Sequence, residues 1–422
     1  MHSSITAIDN RRYIESVSLS AIAEQFGSPC YVYSKDAISG NFLNYQRALG
    51  SRDHLICYAV KSNSNIAVLQ TLAQLGSGFD IVSAGELERV LMAGGDPAKV
   101  VYSGVAKTAT EMRRALEVGI HCFNVESESE LNLLNQTAAE INMQAPVSLR
   151  VNPNVDAKTH PYISTGLKEN KFGIDIDQAF DIYQRATQMK NISIVGVDCH
   201  IGSQLTDISP FIDAMQHLLS LVDRLAESGI KLQHIDIGGG LGVRYQNEVV
   251  PSLTSYMEAL LPLLENRTET LIMEPGRSIT ANAGVLLMQV QVIKNNGDKN
   301  FAIVDAAMND MLRPALYNAW MDINPVEIKT DRIEKIYDVV GPICETGDFL
   351  GKDRKLAIAE GDYLYLSSAG AYGFAMSSNY NSRRTIAEVM VNGRKHGLIR
   401  KRGTYNDLVK DEVLPEYLKK RN

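Results

Sequence analysis

No two of the five cysteines in this 422-residue chain, Cys30, Cys57, Cys122, Cys199 and Cys344, stand at a C-x-x-C spacing, and their number is odd. Neither a disulfide framework nor a metal site is indicated, and a reducing cytoplasm is the expected compartment. No apolar run approaches the roughly eighteen residues that cross a bilayer. Met1 to Arg12 lacks a basic region followed by an apolar one, so neither secretion nor membrane insertion is expected. Basic residues are not in surplus either. A net charge of −7 argues against a nucleic-acid surface and leaves metabolite handling as the better fit. Internal repeats and low-complexity tracts are also missing. What is present, 45% hydrophobic and 22% charged residues, is the composition of a globular protein long enough for two domains, or for one barrel with an addition.

From Tyr31 to Ser278, strand-like apolar runs alternate with amphipathic segments. Strands are predicted at Leu55–Lys61, Phe79–Val82, Val100–Ser103, Cys122–Glu126, Val147–Asn152, Ile192–Ile201, His234–Ile237 and Leu271–Glu274. Helical patterns fall between most of them, at Glu86–Ala93, Thr108–Val118, Ser127–Ile141 and Pro210–Ser228, the last with a proline suited to a first turn. Eight such units are what a closed (β/α)8 barrel requires; a doubly wound sheet is the competing architecture. After Ile279 the β-type runs Val285–Ile293, Phe301–Asp305, Tyr337–Val340, Tyr363–Leu366, Ile386–Val391 and Leu398–Arg400 have little helix between them. The expected α/β chain is therefore a barrel over 31–278 followed by a β domain, sandwich or barrel, over 279–422. Residues 1–30 are too short to fold alone and are assigned to that second domain.

In a barrel, functional groups gather where strands end. Lys61, Asp80, Arg150, His200, Gly238–Gly240 and Glu274–Arg277 all fall in or just beyond the predicted strands, most of them at the carboxyl end. Lys61 closes the buried run Leu55–Val60; it either leaves the core as the strand ends or offers a partly desolvated amine that condenses with an aldehyde. The run Ile237-Gly238-Gly239-Gly240-Leu241-Gly242 either turns the chain or lets backbone amides converge on a phosphate. Glu274-Pro275-Gly276-Arg277 places a carboxylate at a strand end, to hold a protonated pyridine nitrogen or to pair with Arg277 at the rim. In Cys199-His200-Ile201-Gly202-Ser203 a flat imidazole is placed for stacking or for structure. The long polar connection Asn154 to Phe172 suggests a binding loop.

The order and spacing of these motifs resemble the fold-type III pyridoxal-phosphate decarboxylases, an alanine-racemase-like barrel followed by a β domain. Within that family they are most similar to the branch acting on meso-2,6-diaminopimelate. The resemblance runs from about Gly27 to Tyr417. Its most specific pieces are His160-Pro161-Tyr162-Ile163-Ser164-Thr165-Gly166 with Lys171-Phe172-Gly173, Arg313-Pro314-Ala315-Leu316-Tyr317, Gly341-Pro342-Ile343-Cys344-Glu345-Thr346-Gly347-Asp348, and Gly370-Ala371-Tyr372-Gly373. Ser62, where the family usually has alanine, and Ala84, where glycine is frequent, are small departures.

The resemblance implies pyridoxal 5'-phosphate as cofactor, bound as a Schiff base to Lys61. It implies ring contacts from Asp80, His200 and Glu274, and phosphate contacts from Ser203, Gly238, Gly239, Gly240, Pro275, Gly276, Arg277 and Tyr372. Substrate would meet Arg277, Arg313, Tyr317, Glu345 and Tyr372. Cys344 would be the proton donor, supplied across a homodimer interface. The implied reaction is decarboxylation to L-lysine and carbon dioxide. A sister decarboxylase acting on D-lysine, D-ornithine or a basic amino acid, and a catalytically silent relative, are the alternatives.

Overall fold

The computed structural model describes residues 5–155 and 170–419, and divides them into two compact units. One is Lys35–Ala283; the other joins the described residues before Lys35 to those from Gly284 onward.

The first unit is a closed parallel barrel. Its strands are β1 (His54–Ala59), β2 (Gly78–Ile81), β3 (Val100–Tyr102), β4 (Cys122–Val125), β5 (Ala145–Asn152), β6 (Ile192–Asp198), β7 (His234–Asp236) and β8 (Thr270–Met273). Each pairs with the next, and β8 returns to β1 with Met273 opposite Ile56. All eight lie where the sequence places them, because strands covered on both faces are continuous apolar runs. Two predicted ends are corrected. The first strand stops at Ala59, whose N–H donates to the Pro275 carbonyl, and Lys61 lies in the short 3-10 turn Val60–Ser62. The sixth stops at Asp198, so His200 is in the following loop. Among the crossover helices, Ala109–Val118 starts with a full Thr108/Glu111 capping box, and Ser209–Glu227 carries Pro210 in its first turn.

Period-two alternation lines the barrel. Cys57, Val101, Cys122, Val195 and Ile272 form one apolar inner layer. Two residues further along four of these strands, the same inward face reaches Ala59, Ser103, Asn124 and Glu274. The interior therefore turns from apolar to polar within one step, toward the carboxyl ends where barrel sites form.

The second unit is mainly a mixed sheet in the order Phe349–Leu356, Lys335–Val340, Lys299–Val304, Gly284–Asn296, Cys30–Ser34, Ala387–Asn392, Lys395–Arg400. Tyr363–Leu366 also pairs with the long Gly284–Asn296 strand and with Ile323–Pro325. Cys30–Ser34 is thus held by strands from the far end of the chain. Ile5–Ile8, Arg11–Ile14 and Val17–Ser18 form a separate three-stranded sheet, and Ile14, Leu19 and Ile22 pack with Val32, Leu287 and Val389 in one core. The strand Phe349–Leu356 is not apparent in the sequence, because Lys352, Asp353 and Arg354 interrupt its apolar pattern and Asp353 takes a positive φ of 55° at a register shift.

Between β5 and β6 the register shifts at Ile194/Gly196. The buried Tyr183 hydroxyl fills the gap, accepting from the Leu149 N–H (3.2 Å) and donating to the Gly196 carbonyl (2.7 Å). Tyr183→Phe strands both groups and is expected to lower stability by about 1–3 kcal/mol in urea unfolding; an unchanged midpoint would show that the bulge closes without the hydroxyl.

Candidate active site

From its turn just past the end of β1, Lys61 reaches Asp80 on β2, and its Nζ is hydrogen-bonded to Asp80 Oδ2. The lysine side chain is 37% exposed while the aspartate is fully buried, so the amine stands at the boundary between core and mouth. Glu274 follows β8. Its Oε1 accepts from Asn124 Nδ2 (3.3 Å) and Ser103 Oγ (3.4 Å), and its N–H donates to the Gly238 carbonyl. Of the two sequence readings, the rim salt bridge loses: Arg277 donates to the Tyr245 hydroxyl (2.7 Å) and to Ser203 Oγ (3.0 Å).

The loop after β7 brings the glycines against these groups. A Cβ on Gly239 would lie 2.2 Å from the Glu274 carbonyl oxygen, and one on Gly240, whose φ is +113°, 2.5 Å from the Gly202 carbonyl oxygen. Only glycine lets the backbone pass there. The Gly239 N–H donates to His200 Nδ1 (3.2 Å), which makes that nitrogen an acceptor and the imidazole neutral. Burial and the Arg150 and Lys61 cations hold its pKa well below the ordinary histidine value.

Two acidic residues not singled out in the sequence complete the site. Asp198 and Asp236 stand opposite each other in register on β6 and β7, both buried, and with Glu274 they bring carboxylate oxygens within 4.8 Å of one another. Among the described residues, Asp198 Oδ1 and Asp236 Oδ2 have no hydrogen-bond partner, and Arg150 Nε is 3.9 Å from Asp198 Oδ2. Arg150 also pairs with Glu126 (3.0 Å) and lies over the Phe172 ring (5.0 Å), while the Gly173 N–H donates to Glu126. That accounts for Lys171-Phe172-Gly173; His160–Gly166 and most of the Asn154–Phe172 connection lie outside the described residues. Burial, then neighbouring carboxylates, drive the carboxyls of Glu274 and Asp198 well above the usual range, and Asp236, despite the Gly238 N–H it accepts, is pushed up to about 7. A strand-end aspartate gives no sign in sequence of facing inward; only the closing of the barrel shows it.

In the second unit, Arg313 and Tyr317 share the short helix Arg313–Tyr317, with Arg313 buried against Met321 Sδ (3.3 Å). Cys344 and Glu345 sit on an exposed loop anchored by Asp348, which accepts the N–H groups of Met308 and Ile343, each at 2.7 Å. The Cys344 N–H donates to Asn381 (2.8 Å), and Glu345 accepts from the Tyr380 hydroxyl (2.5 Å). Tyr372 takes a positive φ of 53° between Ala371 and Gly373, both buried.

The first unit thus offers an amine beside a carboxylate, a neutral imidazole, a buried carboxyl that favours a proton, and a glycine loop. These residues suit pyridoxal phosphate, whose ring nitrogen needs a carboxyl partner and whose aldehyde needs an amine. Residues 35–281 match the family described as "Pyridoxal-dependent decarboxylase, pyridoxal binding domain", so the chain is a pyridoxal-phosphate-dependent carboxy-lyase. Diaminopimelate decarboxylase of Pseudomonas aeruginosa is 60% identical over 406 residues, 96% of this chain and 98% of the relative. That of Vibrio cholerae is 56% identical over 410 residues, 97% and 98% of the two chains. A crystal structure of diaminopimelate decarboxylase from M. jannaschii in co-complex with L-lysine superimposes with a TM-score of 0.94 at 39% identity, covering 98% of this chain and 99% of that one. The chain belongs to the diaminopimelate decarboxylase family.

The raised carboxyls have a stability consequence. A carboxyl whose folded pKa exceeds its unfolded value binds its proton more tightly in the native state, so stability falls as pH rises from about 4 towards the folded pKa, by at most about 1.4 kcal/mol per pH unit for one group. For Asp236, folded at about 7, that window runs from about pH 4 to 7. Asp236→Asn removes the group, and melting of the two proteins from pH 5 to 8 should show the variant losing less stability than wild type. Parallel curves would mean that Asp236 ionises freely.

Proposed function

We propose that this enzyme decarboxylates meso-diaminopimelate to L-lysine and carbon dioxide, the last step of lysine synthesis. The observation that carries the reading is the Lys61 amine, paired with Asp80 at the barrel mouth, in the same unit as a buried Glu274 carboxyl. The names and high identity of the relatives favour this substrate over D-lysine or D-ornithine.

When bound, pyridoxal phosphate supplies a conjugated, protonated ring that takes up the electron pair left by the departing carboxylate. Lys61 presents the amine that anchors it, and Asp80 holds that amine and exchanges its proton. Glu274 holds the proton at the ring nitrogen; its raised pKa keeps a proton available there. Neutral His200 offers a flat face for stacking. Gly238, Gly239 and Gly240, the Pro275-Gly276-Arg277 turn, Ser203 and Tyr372 receive the phosphate. Arg277, Arg313, Tyr317, Glu345 and Tyr372 hold the substrate, and two arginines with one glutamate match the charges of a second amino-acid end. Cys344 returns a proton to the carbon that loses its carboxylate.

Cys344, Glu345, Thr346 and Gly347 are all exposed in the single chain. This supports a homodimer in which the loop completes the neighbour's site. All five cysteines are free thiols, in keeping with a cytoplasmic location.

Lys61→Ala should abolish the covalent cofactor absorbance together with turnover, and full activity in that variant would sink the assignment. Cys344→Ala should bind cofactor normally and lower kcat by roughly 10²–10⁴-fold, as the loss of a proton donor does. Leaving a buried charge unpaired costs about 3–5 kcal/mol, so Arg313→Leu should cut kcat/KM for diaminopimelate by roughly 10²–10⁴-fold without weakening cofactor binding. Unchanged kinetics would take Arg313 out of the site.

A further inference from the structure

At the end of the barrel opposite the catalytic mouth, three metal-binding side chains converge from distant parts of the sequence. Cys122 and His234 are the first residues of β4 and β7, strands that are not neighbours, and both are buried. Cys122 Sγ lies 3.8 Å from His234 Nε2 across 112 residues of sequence. His121, which precedes β4, turns its ring toward His234 with centroids 5.1 Å apart. One ligand atom from each residue lies within 4.8 Å of the others.

We propose that His121, Cys122 and His234 form a zinc-binding site at the floor of the barrel, pinning β4 to β7. Zinc bonds of about 2.3 Å to sulfur and 2.0–2.1 Å to nitrogen, set at tetrahedral angles, separate ligand atoms by about 3.3–3.6 Å. The 3.8 Å between Sγ and Nε2 is already close to that. His121 is prepared as well. Its Nε2 is buried and, among the described residues, has no hydrogen-bond partner, which leaves it free to take up an ion. Leu55, Cys57, Val101, Val195 and Ile272 surround the thiol and exclude water. His121 is only partly buried, which provides an entry path for the ion.

The donor set of two imidazoles and one thiol suits a borderline-soft ion such as Zn²⁺ better than Mg²⁺ or Ca²⁺. The Cys122 thiol now donates to Asn124 Oδ1 (3.7 Å). On binding, Sγ loses its proton to solvent and with it the hydrogen bond to Asn124, and it ligates as thiolate; His234 Nε2, in the tautomer with its proton on Nδ1, exchanges its contact with Sγ for a bond to the ion. Because Asn124 also donates to Glu274, the floor site shares a residue with the polar layer above it. The sequence shows none of this, since His234 lies 112 residues beyond Cys122 and the three lack any zinc-finger spacing.

The test is Zn²⁺ binding to the pyridoxal-phosphate-loaded protein, read by zinc content per chain and by X-ray absorption at the zinc edge. One zinc per chain with one sulfur and two nitrogen donors is expected. His121→Gln, at the half-exposed position, should weaken binding by at least the roughly 10–100-fold that losing an outer-shell partner costs. Cys344→Ser, which removes the exposed thiol, should leave the zinc in place. No retained zinc, a shell without sulfur, undiminished binding in His121→Gln, or loss of zinc in Cys344→Ser would each overturn the site.

Discussion

A shortage of positive charge inside the barrel governs the rest of the site. Asp80, Glu126, Asp198, Asp236 and Glu274 are buried together, and among these groups Lys61 and Arg150 are the cations that meet them. Burying like charges side by side is costly, so the carboxyls hold protons or require a cation. A protonated pyridine ring answers that requirement, and an apolar group in the same place would not. Lys61 and Arg150 are fixed by the same field: each is held by carboxylates, and they add to the burial that keeps His200 neutral.

The barrel produces this concentration by simple geometry. On three of its parallel strands the apolar inner layer steps, two positions later on the same face, to Ser103, Asn124 and Glu274, so their polar groups meet in one small volume. The glycine loop after β7 then lets the backbone pass against Glu274 where any side chain would collide with its carbonyl oxygen. Arg277 and Ser203, hydrogen-bonded to each other, follow β8 and β6, the two strands that flank β7.

Much of this was legible in the sequence. Buried parallel strands are uninterrupted apolar runs, so all eight could be located, and Lys61, Asp80, His200 and Glu274 stood out as polar residues in or at the ends of them. Asp198 and Asp236 did not. An acidic residue at a strand end is ordinary until closure of the sheet shows that both face inward and toward Glu274. His121, Cys122 and His234 escaped for the same reason, being brought together only by closure. The β unit was legible in part: its long apolar strands were found, while the charged strand Phe349–Leu356 and the strand Cys30–Ser34, paired with residues from the chain's far end, depend on partners that local pattern does not reveal. The role given to Cys344 rests on family resemblance alone, since an exposed cysteine on a polar loop has no chemical signature of its own.

The most direct measurement is carbon dioxide release by the purified, pyridoxal-phosphate-loaded protein from meso-diaminopimelate, with D-lysine and D-ornithine tested in parallel. Release from diaminopimelate alone, with L-lysine as product, is the predicted result. Release only from the two D-monocarboxylates would keep the barrel and the role of Lys61 but contradict the assignment of Arg277, Arg313 and Glu345 to a second amino-acid end, and no release from any of the three would contradict the catalytic reading itself.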